Sequence, residues 1–330
     1  MPIEFAEVSR PDDLPRTRSR RPFGTLDTLG DWLAACQGRT SPTPPRRTRI
    51  VVFAADHGIA AKGVSARSPE ATRKLVAELR DGGTPLGILA GETGSGVRVV
   101  DVAVDNDDTG EFKIRRGSGS IDSEDALTSD ETERAVRVGM RIADAEVDEG
   151  ADLLVPAELG VGTTTPAATV VAALTGTEPV AVVGRGSGID DNAWMRKAAA
   201  IRDALRRARP VVTEPLELLR TVGGADLAAL TGFLAQAAVR RTPVLLDGLT
   251  VCAAAMLAEE LAPGACSWWL ATHRTTEQAH ALALEHLGLT PLVDFGIAEG
   301  AGTGTAALLP LLSMAARLRS ASGEESSERR

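Results

Sequence analysis

Short apolar runs that alternate with longer helical segments constrain the fold of this chain more than any other feature. The runs span residues 50–55, 97–102, 152–155, 179–183, 243–247, 267–271 and 291–294, and each is short enough to be a buried strand. Strands separated by helices predict an α/β fold in which a mostly parallel sheet is flanked by helices, in a Rossmann-like arrangement.

The two ends of the chain differ from the rest in composition. Residues 1–24 are polar and rich in Pro and Arg, which predicts an arm. Residues 319–330 are rich in Ser and Glu, which predicts a disordered tail. The segment between them, residues 25–318, is long enough for one large domain.

The charge and the cysteine content exclude several classes of protein. A net charge of −9 and a pI of about 5.1 argue against a nucleic-acid binder or an anionic-membrane binder. No apolar run is long enough to span a bilayer and the N-terminus has no signal-peptide pattern, so we expect a cytoplasmic protein. Cys36, Cys252 and Cys266 are far apart and the four histidines are scattered, so neither a disulfide framework nor a metal site is predicted.

The segment from Pro156 to Pro166 carries the strongest functional signal. It follows the apolar run 152–155 and precedes a helix in which Thr165 is the expected N-cap and Pro166 the first residue. Its glycines allow close approach of a ligand, its threonines offer hydroxyls, and a helix N-terminus attracts an anion. Because Glu158 lies in the same segment, we interpret it as a phosphate site with an adjacent acid. The alternative is an ordinary glycine-rich connection.

Similar polar or glycine-rich clusters follow the other predicted strands. They span residues 56–58, 184–191, 247–248, 273–277 and 300–304. Because the carboxyl ends of parallel strands meet at one edge of a sheet, where such folds bind ligands, we expect one shared pocket. On grounds of charge, Arg185 and Lys197 are the candidates for phosphate contacts. The glycine spacing after Gly184 is not the dinucleotide fingerprint, so no NAD site is predicted.

These motifs together resemble the nicotinate-nucleotide:dimethylbenzimidazole phosphoribosyltransferases of cobalamin biosynthesis. The resemblance covers nearly all of residues 25–318 and rests on segments 56–58, 63–65, 158–168, 184–188, 222–224, 246–248, 273–275 and 302–304. It implies a homodimer without cofactor or metal, and a smaller helical domain built from about residues 25–48 and 300–318.

The resemblance also implies a reaction, the transfer of phosphoribose from nicotinate mononucleotide to 5,6-dimethylbenzimidazole, which gives α-ribazole 5′-phosphate and nicotinate. The incoming benzimidazole must lose a ring proton, which requires a base such as a carboxylate. Substrate-binding roles are implied for Asp56, His57, Ser65, Gly160, Gly162, Thr163, Thr164, Arg185, Gly186, Ser187, Lys197, Asp247, Thr275 and Gly302.

The chain departs from the family pattern on the side of the acceptor base. Ala301 stands where the family has its catalytic glutamate, so Glu158 and Glu299 are the remaining candidates for a catalytic carboxylate. Arg67 follows Ser65-Ala66 where the family usually has tyrosine. Two alternatives therefore stay open: a divergent paralogue that binds a nucleotide or base with little or no turnover, and an enzyme that uses another acceptor base.

Overall fold

A sheet of five parallel strands lies at the centre of the computed structural model, which describes residues 3–14 and 22–328. The described strands are β1 (Thr48–Ala55), β2 (Gly96–Ala103), β3 (Leu153–Leu159), β4 (Val244–Leu246) and β5 (Trp269–Ala271), in the order β2-β1-β3-β4-β5. The structure thus confirms the predicted parallel sheet. The chain first builds outward from β1 to β2 and then returns to β3 on the other side of β1, so the strand order reverses between β1 and β3.

Twelve α-helices of the described chain surround this sheet. They are α1 (Thr25–Gln37), α2 (Ala71–Arg80), α3 (Pro85–Thr93), α4 (Ser129–Asp148), α5 (Thr164–Thr175), α6 (Pro179–Val182), α7 (Asp191–Ala208), α8 (Pro215–Val222), α9 (Ala225–Val239), α10 (Gly248–Leu261), α11 (Gln278–His286) and α12 (Thr303–Glu328). Short 3-10 helices span Gly58–Lys62, Arg209–Val211 and Ala265–Trp268. Within the described ranges, none of the helices has the length and apolarity needed to cross a membrane.

The side chains of β1 alternate between two apolar layers, as the period of a strand requires. Val51 and Phe53 point into the larger layer, which contains the buried faces of α4, α5, α9 and α10. Ile50 and Val52 point into the smaller layer, which contains buried residues of α1, α3 and α12. All four side chains are fully buried, which explains why this strand appears in the sequence as a continuous apolar run.

The two ends of the chain pack onto this framework. Helices α1 and α12 contact each other, and their buried side chains belong to the same apolar cluster as those of β1 and β3. The predicted arm is partly fixed over residues 3–14, since the indole N–H of Trp268 donates to the carbonyl oxygen of Ser9 at 2.7 Å. The arginine-rich part of that arm falls in residues 15–21, outside the described residues. Helix α12 is predicted to end near Leu318, but it continues to Glu328.

Two of the predicted strands are wrong. Residues 179–182 form the short helix α6, in which Pro179 takes the first position and Val180 remains 65% exposed. Residues 291–294 make only an isolated bridge between Val293 and His273. In both cases a short apolar run that follows a proline fits several conformations, and apolar periodicity alone does not separate them.

The capping box at the start of α4 is predicted by the sequence motif and is confirmed. The Glu131 N–H donates to Thr128 Oγ1 at 3.2 Å, and the Thr128 N–H donates to Glu131 Oε2 at 2.8 Å. Both bonds satisfy donors that the first turn of a helix leaves unpaired.

We predict that Thr128→Ala lowers the free energy of unfolding by about 1 kcal/mol, because the variant loses the side-chain acceptor of this cap. Urea titration followed by circular dichroism measures the change. Ser129→Ala, one residue further on, is the matched control and is expected to stay within about 0.5 kcal/mol of the native chain. An equal loss in both variants would contradict the capping role.

Candidate active site

A cavity lies beyond the carboxyl ends of β1, β3, β4 and β5, next to the point where the strand order reverses. Parallel sheets bind their ligands at this place. The cavity is lined by the predicted residues Glu158, Gly160, Gly162, Thr163 and Thr164, which run from the end of β3 to the start of α5. Other predicted residues on its wall are Ser65, Gly186, Ser187, Asp247, Thr275 and Glu299. The structure therefore brings most of the predicted site residues to one place.

The connection between β3 and α5 lies closely against β1. A Cβ atom on Gly160 would clash with the carbonyl oxygen of Ala55, so only glycine fits at this position. Gly162 has φ +89°, which other residues rarely adopt. The helix begins at Thr164 with Thr163 at the N-cap, two residues before the predicted N-cap at Thr165. Strand β3 also continues through Glu158, so that residue belongs to the strand and not to the predicted loop.

Lys197 lies directly behind this helix start. Its ammonium donates to Thr164 Oγ1 at 2.8 Å and to the carbonyl oxygen of Gly184 at 3.3 Å. The side chain is fully buried, and burial lowers its pKa. The predicted cation is thus present next to the wall of the cavity, where its hydrogen bond to Thr164 orients a hydroxyl on that wall.

Serine side chains join two of the loops that close the cavity. The Ala66 N–H donates to Ser187 Oγ at 2.9 Å, and Ser65 Oγ lies 3.1 Å from the same oxygen. These contacts link the loop after β1 to the glycine-rich segment 184–188. The arrangement explains why the sequence shows serine in both motifs.

Glu158 is a buried carboxyl group on the cavity wall, and its pKa is strongly perturbed. Burial raises its pKa to about 7, and the negative charge of Asp226 acts in the same direction. The Thr163 and Thr250 hydroxyls and the charge of His57 oppose this shift, and Thr250 Oγ1 lies 3.4 Å from Glu158 Oε1. A carboxyl group of this kind exchanges a proton near neutral pH, which suits a general acid or base.

His57 and Asp56 do not reach this cavity. His57 Nε2 lies 3.1 Å from Asp226 Oδ2 in a buried pair, and both Asp56 and His57 line a separate polar cavity beside residues 115–119. Burial opposes the charged form of His57, but the Asp226 carboxylate raises its pKa overall. The predicted substrate contacts of Asp56 and His57 therefore find no support, although the charged pair acts on Glu158 from behind.

Two further predicted residues also lie away from the cavity wall. The Arg185 guanidinium donates to the carbonyl oxygen of Ile189 at 2.8 Å and to Asp191 Oδ1 at 2.6 Å, and it is half exposed. Its proposed phosphate contact is therefore not supported by this geometry. Gly302 lies under the cavity with φ +88°, where a Cβ atom would sit 3.2 Å from that of Ala157.

Asp247 lines the cavity, but its carboxylate is engaged with the start of α12. Asp247 Oδ1 accepts from the Thr305 N–H at 3.2 Å and from the Thr305 hydroxyl at 3.0 Å, and it lies 3.3 Å from His273 Nδ1. Burial raises the pKa of Asp247, and the charge of His273 opposes the shift. Asp247 thus attaches the first turn of α12 to the end of β4.

The remaining wall comes from the segment before α12. Ala301, the residue expected at the family's glutamate position, lines the cavity and has φ +59°. Glu299 does not turn toward Glu158 but lies 3.7 Å from the Arg67 guanidinium, with both side chains about half exposed. A Cβ atom on Gly300 would lie 3.8 Å from Glu158 Oε1. Glu158 is therefore better placed than Glu299 to act inside the cavity.

Thr250, His273 and Glu277 also line the wall, although the sequence does not single them out as site residues. Thr250 follows β4 on the first turn of α10, and the other two belong to the polar segment 273–277 that was recognised as a cluster. The position of that segment directly after a strand is the sequence feature that points to these two residues as part of the site. Among the described residues, no group of three or more His, Cys, Asp or Glu side chains is arranged to hold a metal ion.

We predict that Glu158→Gln stabilises the fold more at pH 8 than at pH 5.5. The pKa of Glu158 rises from an ordinary 4.5 to about 7 on folding, so ionisation weakens the folded state as the pH rises between these values. The glutamine variant cannot ionise, and its advantage should grow by about 1–2 kcal/mol over that range. Urea titrations at both pH values measure it. Glu285→Gln, exposed on α11, is the control, and equal pH dependence in both variants would contradict the prediction.

Comparison with known proteins agrees with this geometry. A family model described as phosphoribosyltransferase matches residues 12–327. The nicotinate-nucleotide–dimethylbenzimidazole phosphoribosyltransferases of Mycobacterium ulcerans (strain Agy99) and Mycobacterium tuberculosis (strain ATCC 25618 / H37Rv) are each 54% identical, over 94% of this chain and 90% of theirs. The crystal structure of CobT from Thermus thermophilus matches with a TM-score of 0.87 and 39% identity, over 91% of this chain and 92% of that one. This chain therefore belongs to the same phosphoribosyltransferase family.

Proposed function

We propose that this protein transfers phosphoribose from nicotinate mononucleotide to 5,6-dimethylbenzimidazole and releases nicotinate. One observation carries the proposal: a single cavity places hydrogen-bond donors of the kind that bind a phosphate beside Glu158, a carboxyl group whose pKa is about 7. The names of the relatives, which cover nearly the whole chain, support the choice of substrates.

The phosphate of the donor is expected to bind at the start of α5. Thr163 and Thr164 line the cavity at the N-terminus of this helix, where backbone N–H groups and the helix dipole favour an anion, and both residues add hydroxyls. Lys197 supplies positive charge from behind Thr164, and the segment containing Gly186 and Ser187 forms the opposite side. Backbone donors, hydroxyls and a buried cation together favour a phosphate over a neutral group.

The chemistry follows from the charge of the donor. The pyridinium nitrogen of nicotinate mononucleotide takes the electron pair of its bond to C1′, so nicotinate leaves without needing a general acid. One nitrogen of dimethylbenzimidazole forms the new bond to C1′, and the proton on its other nitrogen passes to Glu158. Since the raised pKa of Glu158 lies close to neutral pH, the carboxylate is present in quantity and is basic enough to accept that proton.

We also propose that the protein works as a homodimer in the cytoplasm. The dimer rests on the family resemblance. The cytoplasmic assignment is supported by Cys36, Cys252 and Cys266, each of which is a free thiol, because reducing compartments keep thiols in this state.

The direct test is release of nicotinate from nicotinate mononucleotide in the presence of a panel of benzimidazoles. We expect release that requires dimethylbenzimidazole and yields α-ribazole 5′-phosphate in equal amount. Binding of both substrates without release would instead favour a non-catalytic paralogue. Release only with another base would favour the alternative acceptor, for which the Arg67–Glu299 pair on the cavity wall is the structural argument.

We predict that the rate of the native enzyme rises with pH through about 7 and then levels off, because only the ionised form of Glu158 accepts a proton. Glu158→Gln should lower turnover by about 10²–10⁴-fold and remove this pH dependence. Steady-state rates between pH 5.5 and 9 measure both effects, with Glu285→Gln as the control. Persistence of the same rise in Glu158→Gln would assign it to another group.

We further predict that adding Ala301→Glu to Glu158→Gln raises the turnover of that variant about tenfold. A carboxylate at this position faces the same cavity. The matched control is Ala301→Gln in the same background, which has the same size but no basic group. If both double variants show the same rate, Ala301 does not occupy a position from which a base can act.

A further inference from the structure

Glu277 places a carboxylate on the cavity wall, next to the hydrogen-bond donors that would bind a phosphate. Its Oε1 atom accepts from the Gly186 N–H at 2.8 Å. Its Oε2 atom is buried, has no hydrogen-bond partner among the described residues, and lies against Gly184, where any Cβ atom would clash with it. A carboxylate oxygen left unpaired in a buried position is costly, which suggests that the site serves more than local structure.

The groups around this carboxylate are those that would bind a phosphate. A Cβ atom on Gly186 would lie 3.2 Å from Thr164 Oγ1 and 3.5 Å from the ammonium of Lys197. The hydroxyl, the ammonium and the Gly186 N–H are therefore gathered at one point. The hydrogen bonds that Lys197 makes to Thr164 and Gly184 go to uncharged oxygens, and the charge that acts on it is that of Glu277, which raises its pKa against the effect of burial.

We propose that Glu277 is the internal anion of the phosphate site: its carboxylate holds the Gly186 N–H beside Lys197 until the phosphate of the substrate displaces it. The location of the phosphate rests on the proposed function. Displacement is required because a phosphate on the Gly186 N–H would otherwise share that donor with a second negative charge, and like charges in a buried site repel strongly.

This arrangement changes which anions fill the site. Every anion must first move the Glu277 carboxylate, so each binds more weakly than the donors alone would allow. A nucleotide recovers the loss through contacts of its ribose and base elsewhere in the cavity, whereas inorganic phosphate has no such contacts. Glu277 therefore keeps the site free of inorganic phosphate at concentrations that would otherwise occupy it.

A purely structural role for Glu277 predicts different behaviour. In that case the carboxylate only holds the segment 184–188 in shape through the Gly186 N–H. Glu277→Gln keeps an oxygen acceptor for this N–H but removes the charge, and Glu277→Ala removes both. The two variants thus separate the effect of the negative charge from the effect of the hydrogen bond to Gly186.

Isothermal titration calorimetry with inorganic phosphate and with nicotinate mononucleotide provides the test, on the native chain, Glu277→Gln, Glu277→Ala and the control Glu285→Gln. We expect both ligands to bind about tenfold tighter to Glu277→Gln, inorganic phosphate to bind tighter to Glu277→Ala as well, and the control to match the native chain. Thermal unfolding of each variant confirms that it is folded.

Unchanged or weaker binding of inorganic phosphate in Glu277→Gln would overturn the inference, and so would weaker binding in a folded Glu277→Ala. The proposed function fails separately, if nicotinate mononucleotide binds to none of the proteins. Tighter binding of inorganic phosphate in Glu277→Gln would still establish the displaced carboxylate in that event.

Discussion

The pairing of β1 with β3 is the contact on which the rest of the site depends. These strands run side by side in parallel, with Phe53 opposite Glu158 and Ala54 opposite Leu159, so both connections that follow them leave the sheet at the same edge. Gly160 then passes so close to Ala55 that no side chain fits between them. This close passage fixes where α5 begins, and the start of α5 determines where Thr163 and Thr164 face the cavity.

The site contains ionisable side chains whose charged forms are destabilised by burial. Glu158 and Lys197 both have pKa values shifted toward their neutral forms by burial, and the His57–Asp226 pair adds charge behind Glu158. Such groups are expected to reduce the stability of the folded chain, because their ionised forms are better solvated in water. Under the proposed function the same groups become useful, because the substrates bring a phosphate close to Lys197 and a proton to Glu158. Stability and activity are therefore opposed at this edge of the sheet, while the apolar layers on both faces provide the compensation.

The sequence predicted the sheet and its ligand-binding edge well, because fully buried strands are short apolar runs and their polar ends fall in order. It failed where a local pattern allowed more than one outcome. The run after Pro179 fits a helical turn as well as a strand, and the two threonines before Thr165 let the helix begin early. Arg185 and Gly186 are neighbours, yet only Gly186 reaches the cavity, since the backbone turns through φ +48° there and the arginine finds partners on the outer side. No pattern in the sequence reports that direction.

The attachment of α12 through Asp247 has a consequence for how this enzyme can vary. The Asp247 carboxylate at the end of β4 fixes the first turn of that helix, and the segment that carries Ala301 directly precedes this turn. The half of the cavity nearest Ala301 is therefore anchored at the end of β4, whereas the half at the start of α5 is fixed by β1 and β3. Under the proposed function the acceptor base lies in the first half and the sugar phosphate in the second, so the first half is where evolution would change the base that is joined to the sugar.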